Sequence, residues 1–219
     1  MRFVVEGLFV KISGITSEED ALFSVALGAN AVGFDFALGE RQIDVNLAHD
    51  IVRRLPAGVL TVGTFRNEMP QRVAEVANTI GLTAVQIEGA ISGDELSYVT
   101  QRVNTVIRTV PPGVEKLALW QGVDYLALPE LDERRALQDS VEQLSSTSAR
   151  LPLIASGGLT PTNVVEVVQR LGVFGVEARS GVENEPGKKD PVKLGEFIAN
   201  ARWAHDHSLV ERPYNEWSL

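Results

Sequence analysis

The chain has 219 residues, 44% of them hydrophobic, which is enough for one well-buried domain and short for two. Twenty lysines and arginines stand against 29 aspartates and glutamates, and the resulting formal net charge of -9, with no basic face in the sequence, disfavours nucleic acid as a partner. The absence of cysteine excludes disulfides, thiolate metal ligands and a cysteine nucleophile.

The first ten residues contain one arginine and an interrupting Glu6-Gly7 pair, which makes the segment too short and too polar for a signal peptide. No apolar run approaches the roughly 20 residues that a membrane-spanning helix requires. We therefore expect a cytoplasmic protein with no membrane partner.

Short apolar runs recur along the chain and alternate with segments of helical spacing. Such continuous runs are typical of parallel strands whose outer face is covered by helices. We predict a single-domain (β/α)₈ TIM barrel over residues 1–203, followed by a tail over 204–219, while strand counting alone leaves a doubly wound open sheet possible. The eight predicted strands are 8–12, 31–36, 59–65, 84–87, 105–110, 125–128, 151–155 and 174–178.

Capping signals place several helix boundaries between these strands. Ser17 precedes an acidic first turn, and Asp190 stands before a proline that suits the first helical position. Pro70 marks another helix start. Three glycines have the position expected after a helix end: Gly28, Gly81 and Gly172.

Glycine-rich loops follow the last two predicted strands. Gly157 and Gly158 come after strand 7, and Ser180 and Gly181 come after strand 8. In (β/α)₈ barrels these two loops form the usual phosphate site, because their backbone N–H groups point at an anion. A turn also uses glycine for positive φ without binding anything. Two such loops at adjacent units favour a small phosphorylated metabolite as the ligand.

Several motifs resemble phosphoribosylanthranilate isomerases, in the same order from about residue 9 to about residue 202. The resemblance implies a (β/α)₈ barrel, the Amadori rearrangement of N-(5′-phosphoribosyl)anthranilate in tryptophan biosynthesis, no metal or organic cofactor, and a monomer or homodimer. The motifs are Lys11-Ile-Ser-Gly-Ile-Thr16, Gly28-Ala-Asn-Ala-Val-Gly-Phe34, Phe65-Arg-Asn-Glu68, Ser156-Gly-Gly-Leu159, Ser180-Gly-Val-Glu183 and Pro186-Gly-Lys-Lys-Asp190.

The same resemblance assigns binding residues by position. Arg41 falls where the family's arginine meets the anthranilate carboxylate. Lys11 and Arg179 are further candidates for substrate binding, although Arg179 stands where relatives have a serine and alternatively pairs with a carboxylate in the helical layer. The positions that hold the substrate phosphate in the family are Gly157, Gly158, Ser180 and Gly181.

Four positions depart from the family's pattern. Ser13 replaces the cysteine general base, and Pro129 replaces the aspartate general acid. Glu88 stands in place of a histidine, and Glu177 in place of an aspartate. A serine hydroxyl has no ready access to its anion without an adjacent base, and proline has no proton to donate. The usual acid–base pair is therefore missing.

Other acidic side chains are predicted near the same end of the barrel. Asp35 interrupts an apolar strand, where a charge is costly unless paired, so it either serves the site or caps a loop N–H or pairs with Arg41. Glu88 and Glu177 are the other candidates for proton transfer, with Ser13 at most a hydrogen-bonding group. The metal-like His205-Asp-His207 is better explained as a solvated tail, because residues two apart on a helix do not face the same way.

Two hypotheses of function follow. The first is an isomerase that performs the family's reaction or a diverged reaction on a related phosphorylated metabolite, with proton transfer by the acidic residues named above. The second is a non-catalytic binding or regulatory barrel that retained the phosphate site after losing the catalytic pair. In either case Tyr214 and Trp217 of the tail are expected to bury against some surface of the protein or of a second subunit.

Overall fold

A computed structural model describes residues 5, 7–110, 122–127 and 151–208. Eight parallel strands close into a barrel in chain order, with β1 pairing with both β2 and β8. The predicted barrel is confirmed and the open sheet is wrong. The strands are β1 (Phe9–Ile12), β2 (Ala31–Asp35), β3 (Leu60–Phe65), β4 (Ala84–Ile87), β5 (Val106–Thr109), β6 (Tyr125–Ala127), β7 (Leu153–Ala155) and β8 (Gly175–Ala178).

Strand bounds lie within two residues of the prediction at the described ends. The largest shift is at β7, which begins at Leu153 rather than at residue 151. Pro152 has no N–H to donate to the ladder, and only its carbonyl pairs, accepting from Leu126 N at 3.0 Å.

Six helices lie in the described parts of the chain, and most begin at a side-chain cap. The Ser17 hydroxyl accepts from Asp20 N, and the Asp190 carboxylate accepts from the amides of Val192 and Lys193. Gly81 and Gly172 end their helices in the left-handed conformation. The helices are α1 (Glu18–Ala26), α2 (Val45–Val52), α3 (Pro70–Ile80), α4 (Gly93–Thr100), α5 (Val164–Leu171) and α6 (Pro191–Asp206).

The barrel interior is apolar toward the amino ends of the strands. Because side chains alternate between the two faces of a strand, residues two positions further along point into the same interior, nearer the carboxyl ends. There the interior becomes polar, which positions the site described below. The apolar interior cluster contains Phe9, Ala31, Val62, Ala84, Ile107, Tyr125, Ala127 and Ile154.

After β8 the chain makes a 3₁₀ turn over Ser180–Val182 and then a short hairpin of β9 (Glu183–Glu185) and β10 (Lys188–Lys189). The last helix runs past residue 203 to Asp206, and His207 stacks on Trp203 with ring centroids 4.7 Å apart. Pro129, Tyr214 and Trp217 lie outside the described residues. Within the residues described, no helix combines the length and apolarity needed to cross a bilayer.

Candidate active site

The loop after β7 is held by one side chain from the start of α5. Gly157 and Gly158 have φ of 86° and 62°, a conformation that glycine adopts without strain. Asn163 Oδ1 accepts from Thr160 N at 2.8 Å, and its Nδ2 donates to Gly158 O at 3.0 Å. The side-chain amide of Asn163 thus links two residues of the same loop and holds the glycine turn in one conformation.

The loop after β8 lies directly against this first loop. A Cβ built on Gly181 would overlap the carbonyl oxygen of Leu159, so only glycine permits the contact. The four glycine and serine positions predicted to bind phosphate are therefore brought together at the carboxyl ends of β7 and β8. Their contact with a phosphate group stays a prediction.

A buried polar layer crosses the barrel interior below the mouth. Lys11 is fully buried, and its Nζ donates to Gln86 Oε1 at 2.7 Å and to Glu177 Oε1 at 2.8 Å. Gln86 in turn donates to Thr109 Oγ1 at 3.3 Å. Two of the three N–H donors of the Lys11 ammonium therefore make hydrogen bonds within the protein. The predicted contact of Lys11 with substrate stays a prediction, and its described role is to neutralise Glu177.

One step closer to the mouth, four buried side-chain oxygens have no hydrogen-bond partner among the residues that the structure describes. They lie on, or directly after, four adjacent strands in the order β8, β1, β2 and β3, with Ser13 as the residue that follows β1. We call them the mouth quartet. Its members are Glu177 Oε2, Ser13 Oγ, Asp35 Oδ1 and Thr64 Oγ1.

Gly33 makes room for the quartet. A Cβ at this position would lie 2.5 Å from Ser13 Oγ and 3.2 Å from Lys11 Cε, so the side chains of β1 occupy the space above the glycine. The Ser13 hydroxyl lies near enough to Glu177 to help lower the pKa of that carboxylate, yet the pair does not meet hydrogen-bond geometry.

The two carboxyl groups of the quartet have opposite pKa shifts. Burial raises the pKa of Asp35, and Arg179 and Lys11 oppose that effect only in part, while Glu177 and Glu88 add to it. Burial also favours the neutral form of Glu177, but Lys11, Ser13 and Arg179 outweigh it and lower the pKa. Opposed shifts on neighbouring carboxyls are typical of acid–base sites.

Arg179 lies at the mouth and not in the helical layer. Its Nη1 is 3.6 Å from Asp35 Oδ2, so the partner of Asp35 is Arg179, and the alternative pairing of Asp35 with Arg41 is wrong. Arg41 and Arg179 pass on either side of Gly14, with Arg41 Cδ at 2.9 Å and Arg179 Cγ at 3.2 Å from a Cβ built there. Two guanidinium side chains therefore border the mouth next to the paired loops.

A second charged cluster, missed by the sequence analysis, fixes the strand ends around the site. Arg41 contacts both carboxylate oxygens of Glu183, with its Nε at 2.9 Å and its Nη2 at 2.7 Å from Oε2. The nearly buried Lys189 Nζ donates to Glu183 Oε1 at 2.7 Å, to Ser13 O at 2.6 Å and to Arg179 O at 3.3 Å. We call Arg41, Glu183 and Lys189 the hairpin clamp.

The clamp ties the end of β1 to the end of β8. Burial lowers the pKa of Lys189, which Glu183 only partly offsets. Hydrogen bonding from Arg41 and Lys189 lowers the pKa of Glu183 in spite of burial. In the sequence, this cluster was visible only as charged residues within the family motifs. The motifs did not indicate which of these residues form ion pairs with each other.

Glu88 lies at the rim, where Arg66 is its partner. Arg66 Nη2 lies 2.9 Å from Glu88 Oε2, and the Arg66 side chain is half exposed. Arg108, on the outer face of β5, donates to Ile87 O at 2.7 Å and holds the strand that leads to Glu88. Glu88 is thus already paired with Arg66, and the proton-transfer role predicted for it stays a prediction.

Comparison with known proteins places these features in one family. The family model for N-(5′-phosphoribosyl)anthranilate (PRA) isomerase matches residues 10–200. The N-(5′-phosphoribosyl)anthranilate isomerase of Thermotoga neapolitana is 38% identical over 204 residues, which cover 88% of this chain and 98% of that protein.

Solved structures agree with the sequence match. The crystal structure of phosphoribosyl anthranilate isomerase from Thermotoga maritima superposes with a TM-score of 0.78 at 35% identity, covering 90% of this chain and 99% of that one. A crystal structure of phosphoribosyl anthranilate isomerase in complex with reduced 1-(o-carboxyphenylamino)-1-deoxyribulose 5-phosphate has a TM-score of 0.76 at 35% identity, with the same coverage.

Proposed function

The chain belongs to the N-(5′-phosphoribosyl)anthranilate isomerase family, and we propose that it catalyses the Amadori rearrangement of N-(5′-phosphoribosyl)anthranilate in tryptophan biosynthesis. The observation that carries the proposal is the close contact of the two glycine loops at Gly181 and Leu159, next to a buried acid–base cluster. A cytoplasmic enzyme, monomeric or homodimeric, is the corresponding proposal for location and assembly.

The substrate phosphate is proposed to bind at the paired loops. Gly157, Gly158 and Gly181 have no side chain of their own that could cover their backbone N–H groups, and Ser180 adds a hydroxyl. Backbone amides at the ends of β7 and β8 suit a dianion because several of them converge on one point. Asn163 and Leu159 support this arrangement by fixing the two loops against each other.

The anthranilate carboxylate is proposed to lie at the guanidinium pair of Arg41 and Arg179. Arg41 donates hydrogen bonds from its Nε and Nη2 to Glu183, and these bonds fix the plane of the guanidinium at the rim. Arg179 brings a second positive charge to the same end of the barrel. Planar guanidinium groups bind carboxylates with good geometry, and an arginine already held by a neighbour loses less entropy on binding.

The rearrangement needs two proton transfers. An acid protonates the ribose ring oxygen so that the ring opens, and a base then removes the proton from C2′. Ser13 is a poor substitute for a thiol, because the neighbouring carboxylate of Glu177 has a lowered pKa and is too weak a base to remove a serine proton. Asp35 and Glu177 are carboxyl groups with opposite pKa shifts at the mouth, and they are the proposed sources of acid–base chemistry, with Glu88 at the rim.

A non-catalytic barrel is the less favoured alternative. Curated relatives that the chain matches over nearly their whole length are isomerases. A binding protein would also have no need for buried carboxyl oxygens that lack partners within the described residues, since each such atom costs about 1–3 kcal/mol.

The test is conversion of N-(5′-phosphoribosyl)anthranilate by the purified chain, together with growth of a tryptophan auxotroph that lacks this isomerase. We expect formation of 1-(o-carboxyphenylamino)-1-deoxyribulose 5-phosphate and restored growth. A folded protein that binds the reduced product analogue and yields neither product nor growth would overturn the proposed reaction and leave the binding hypothesis in its place.

A further inference from the structure

The mouth quartet is a group of four buried oxygens without hydrogen-bond partners among the residues that the structure describes. Each member belongs to a residue exposed by less than a tenth, and none has a hydrogen-bond partner in the described part of the chain. Buried polar atoms in native proteins are nearly always satisfied, and the exceptions cluster where a ligand or water completes the site. Four exceptions on four adjacent strands therefore mark one binding position.

The alternation of strand faces shows that all four side chains point into the barrel. Two residues before Ser13, Asp35 and Thr64 stand Lys11, Gly33 and Val62, whose side chains or Cβ positions lie in the interior. Gly175 precedes Glu177 by two, and a Cβ there would meet the interior ring of Phe9. The quartet thus occupies one side of the barrel, formed by four of its eight strands, at their carboxyl ends.

The chemistry of the quartet fits a sugar and excludes an anion. Two carboxyl oxygens and two hydroxyls offer acceptors with a small number of donors, which matches the hydroxyl groups and ring oxygen of a ribose. A carboxylate or phosphate would be repelled by Glu177, which Lys11 holds in its charged form. Those groups have cationic or amide partners elsewhere at the mouth, as proposed above.

Within the quartet, Asp35 is distinguished from the other carboxyl groups of the site by its contacts. Glu177 is bound through Oε1 by Lys11 at 2.8 Å, and Glu88 is bound by Arg66 at 2.9 Å. The cation paired with Asp35 is Arg179, at 3.6 Å from Oδ2, and Asp35 Oδ1 is buried without a hydrogen-bond partner among the residues described. Asp35 therefore has one oxygen available for a proton.

We propose that Asp35 is the catalytic residue that donates the proton to the ribose ring oxygen and then takes the proton from C2′. The proposal rests on the proposed isomerase reaction and names the group that performs it in place of the family's cysteine and aspartate. Its direct support is geometric: Asp35 Oδ1 is buried without a hydrogen-bond partner among the described residues, and its strand lies between those that lead to Ser13 and Thr64.

The steps balance on this one carboxyl group. The proton leaves Asp35 Oδ1 for the ring oxygen, the bond from C1′ to that oxygen breaks with its electron pair on oxygen, and the nitrogen lone pair forms a C=N bond. Asp35 is now a carboxylate beside Arg179. It accepts the C2′ proton, the C2′–H pair becomes the C1′=C2′ bond, and the C=N pair returns to nitrogen. Tautomerisation of this enol gives the ketose.

The electrostatic environment of Asp35 shifts its pKa in the direction that favours the neutral acid. Burial raises its pKa, Glu177 and Glu88 raise it further, and Arg179 and Lys11 oppose the shift. The first step needs the neutral acid, so the rate is expected to be full below the raised pKa and to fall as pH rises through it. Removing the charge of Arg179 withdraws an opposing influence and moves this descending limb to higher pH.

The experiment compares wild type, Asp35→Asn and the control Asp50→Asn, whose side chain is 64% exposed on α2. The readouts are kcat, KM and the Kd of reduced 1-(o-carboxyphenylamino)-1-deoxyribulose 5-phosphate. We expect Asp35→Asn to lower kcat by at least about 100-fold, the usual scale of a lost acid–base group. The Kd is expected to change by less than about threefold, because the phosphate and carboxylate positions are intact.

The outcomes separate the two proposals. An active wild type with Asp35→Asn within about threefold of its kcat overturns the role of Asp35 and leaves the isomerase reaction standing. An inactive wild type that binds the analogue overturns the reaction itself. If Asp35→Asn fails to fold, the pH profile of kcat decides: a descending limb that moves to higher pH in Arg179→Met supports the proposal, and a limb that does not move overturns it.

Discussion

The mouth quartet and the hairpin clamp are two polar clusters at the same strand ends, and they differ in how far their atoms are satisfied. In the clamp, Lys189 alone donates three hydrogen bonds, and Glu183 is bound by two cations. In the quartet, four buried oxygens have no partner among the residues described. Both clusters lie in strongly perturbed surroundings, so pKa shifts by themselves do not distinguish them.

The difference indicates which cluster serves structure and which serves a ligand. Breaking a buried ion-pair network in which every group is hydrogen-bonded lowers the stability of the folded state, because it leaves a buried charge without a partner. An unsatisfied cluster is retained in spite of its effect on stability, and binding supplies the missing partners. Substitutions in the clamp should therefore change stability first, and substitution of the quartet's Asp35 should change catalysis first.

The largest expected effect is on the clamp. Lys189→Met removes the ammonium and leaves the carbonyls of Ser13 and Arg179 without their donor. Breaking a buried ion pair typically costs about 3–5 kcal/mol, and we expect a loss toward the lower end of that range because Arg41 still neutralises Glu183. Urea unfolding at neutral pH measures the change.

The adjacent Lys188→Met is the matched control for this prediction. Its side chain is 67% exposed and pairs with Glu185 at 3.5 Å, so its free energy of unfolding should stay within about 1 kcal/mol of wild type. Equal effects of the two substitutions would show that the clamp does not stabilise the hairpin.

The second expected effect is at the paired loops. Gly181→Ala places a methyl group on the carbonyl oxygen of Leu159, and the loops after β7 and β8 must separate. We expect at least about tenfold weaker binding of the reduced product analogue, or about 1.4 kcal/mol. Calorimetric titration provides the measurement.

Gly93→Ala is the control for the loop substitution, because a Cβ at Gly93 meets nothing within 4 Å in the first turn of α4. Alanine in a helix is favoured over glycine by roughly 0.5–1 kcal/mol, so this variant should bind normally and be no less stable. Unchanged affinity of Gly181→Ala for the analogue would show that phosphate binding does not depend on the contact between the two loops.

A smaller effect is expected within the quartet at Ser13. Ser13→Ala should leave kcat within about threefold, because the neighbouring Glu177, whose pKa is lowered, is too weak a base to take the hydroxyl proton. Ser13→Cys introduces a thiol with an ordinary pKa of about 8.5 at the family's base position. We expect a rise of kcat of roughly tenfold, below the usual range for a full acid–base contribution because Glu177 disfavours a second anion nearby.

Steady-state kinetics of the two Ser13 variants measures this prediction, with the Kd of the reduced product analogue as the check on folding. A large loss of kcat in Ser13→Ala would assign the hydroxyl a direct catalytic role and weaken the case for Asp35. A decrease in Ser13→Cys with unchanged affinity would show that the position no longer faces C2′.

The sequence predicted the barrel because strands and caps are local. The apolar run that contains β4, the Ser17 cap and the Asp190-Pro191 start each depend on residues within a few positions. The partners at the site are not local. Glu183 is 142 residues from Arg41, and Asp35 faces Arg179 from the other end of the chain, so no spacing rule connects them. Asp35 itself was detectable as a charge inside an apolar strand.

The smallest expected effect tests whether Glu88, like the residues of the hairpin clamp, is a paired structural group without a catalytic role. Glu88→Gln removes a rim ion pair in which Arg66 is half exposed, and such pairs contribute about 0.2–1 kcal/mol. We expect a stability change in that range and a kcat within about threefold of wild type. Glu75→Gln is the control, because Glu75 pairs with Arg72 at 3.1 Å on the surface of α3, far from any proposed role. A hundredfold loss of kcat in Glu88→Gln alone would mean that a paired carboxylate at the rim carries the chemistry, and the presence of a partner would then no longer separate the structural cluster from the catalytic one.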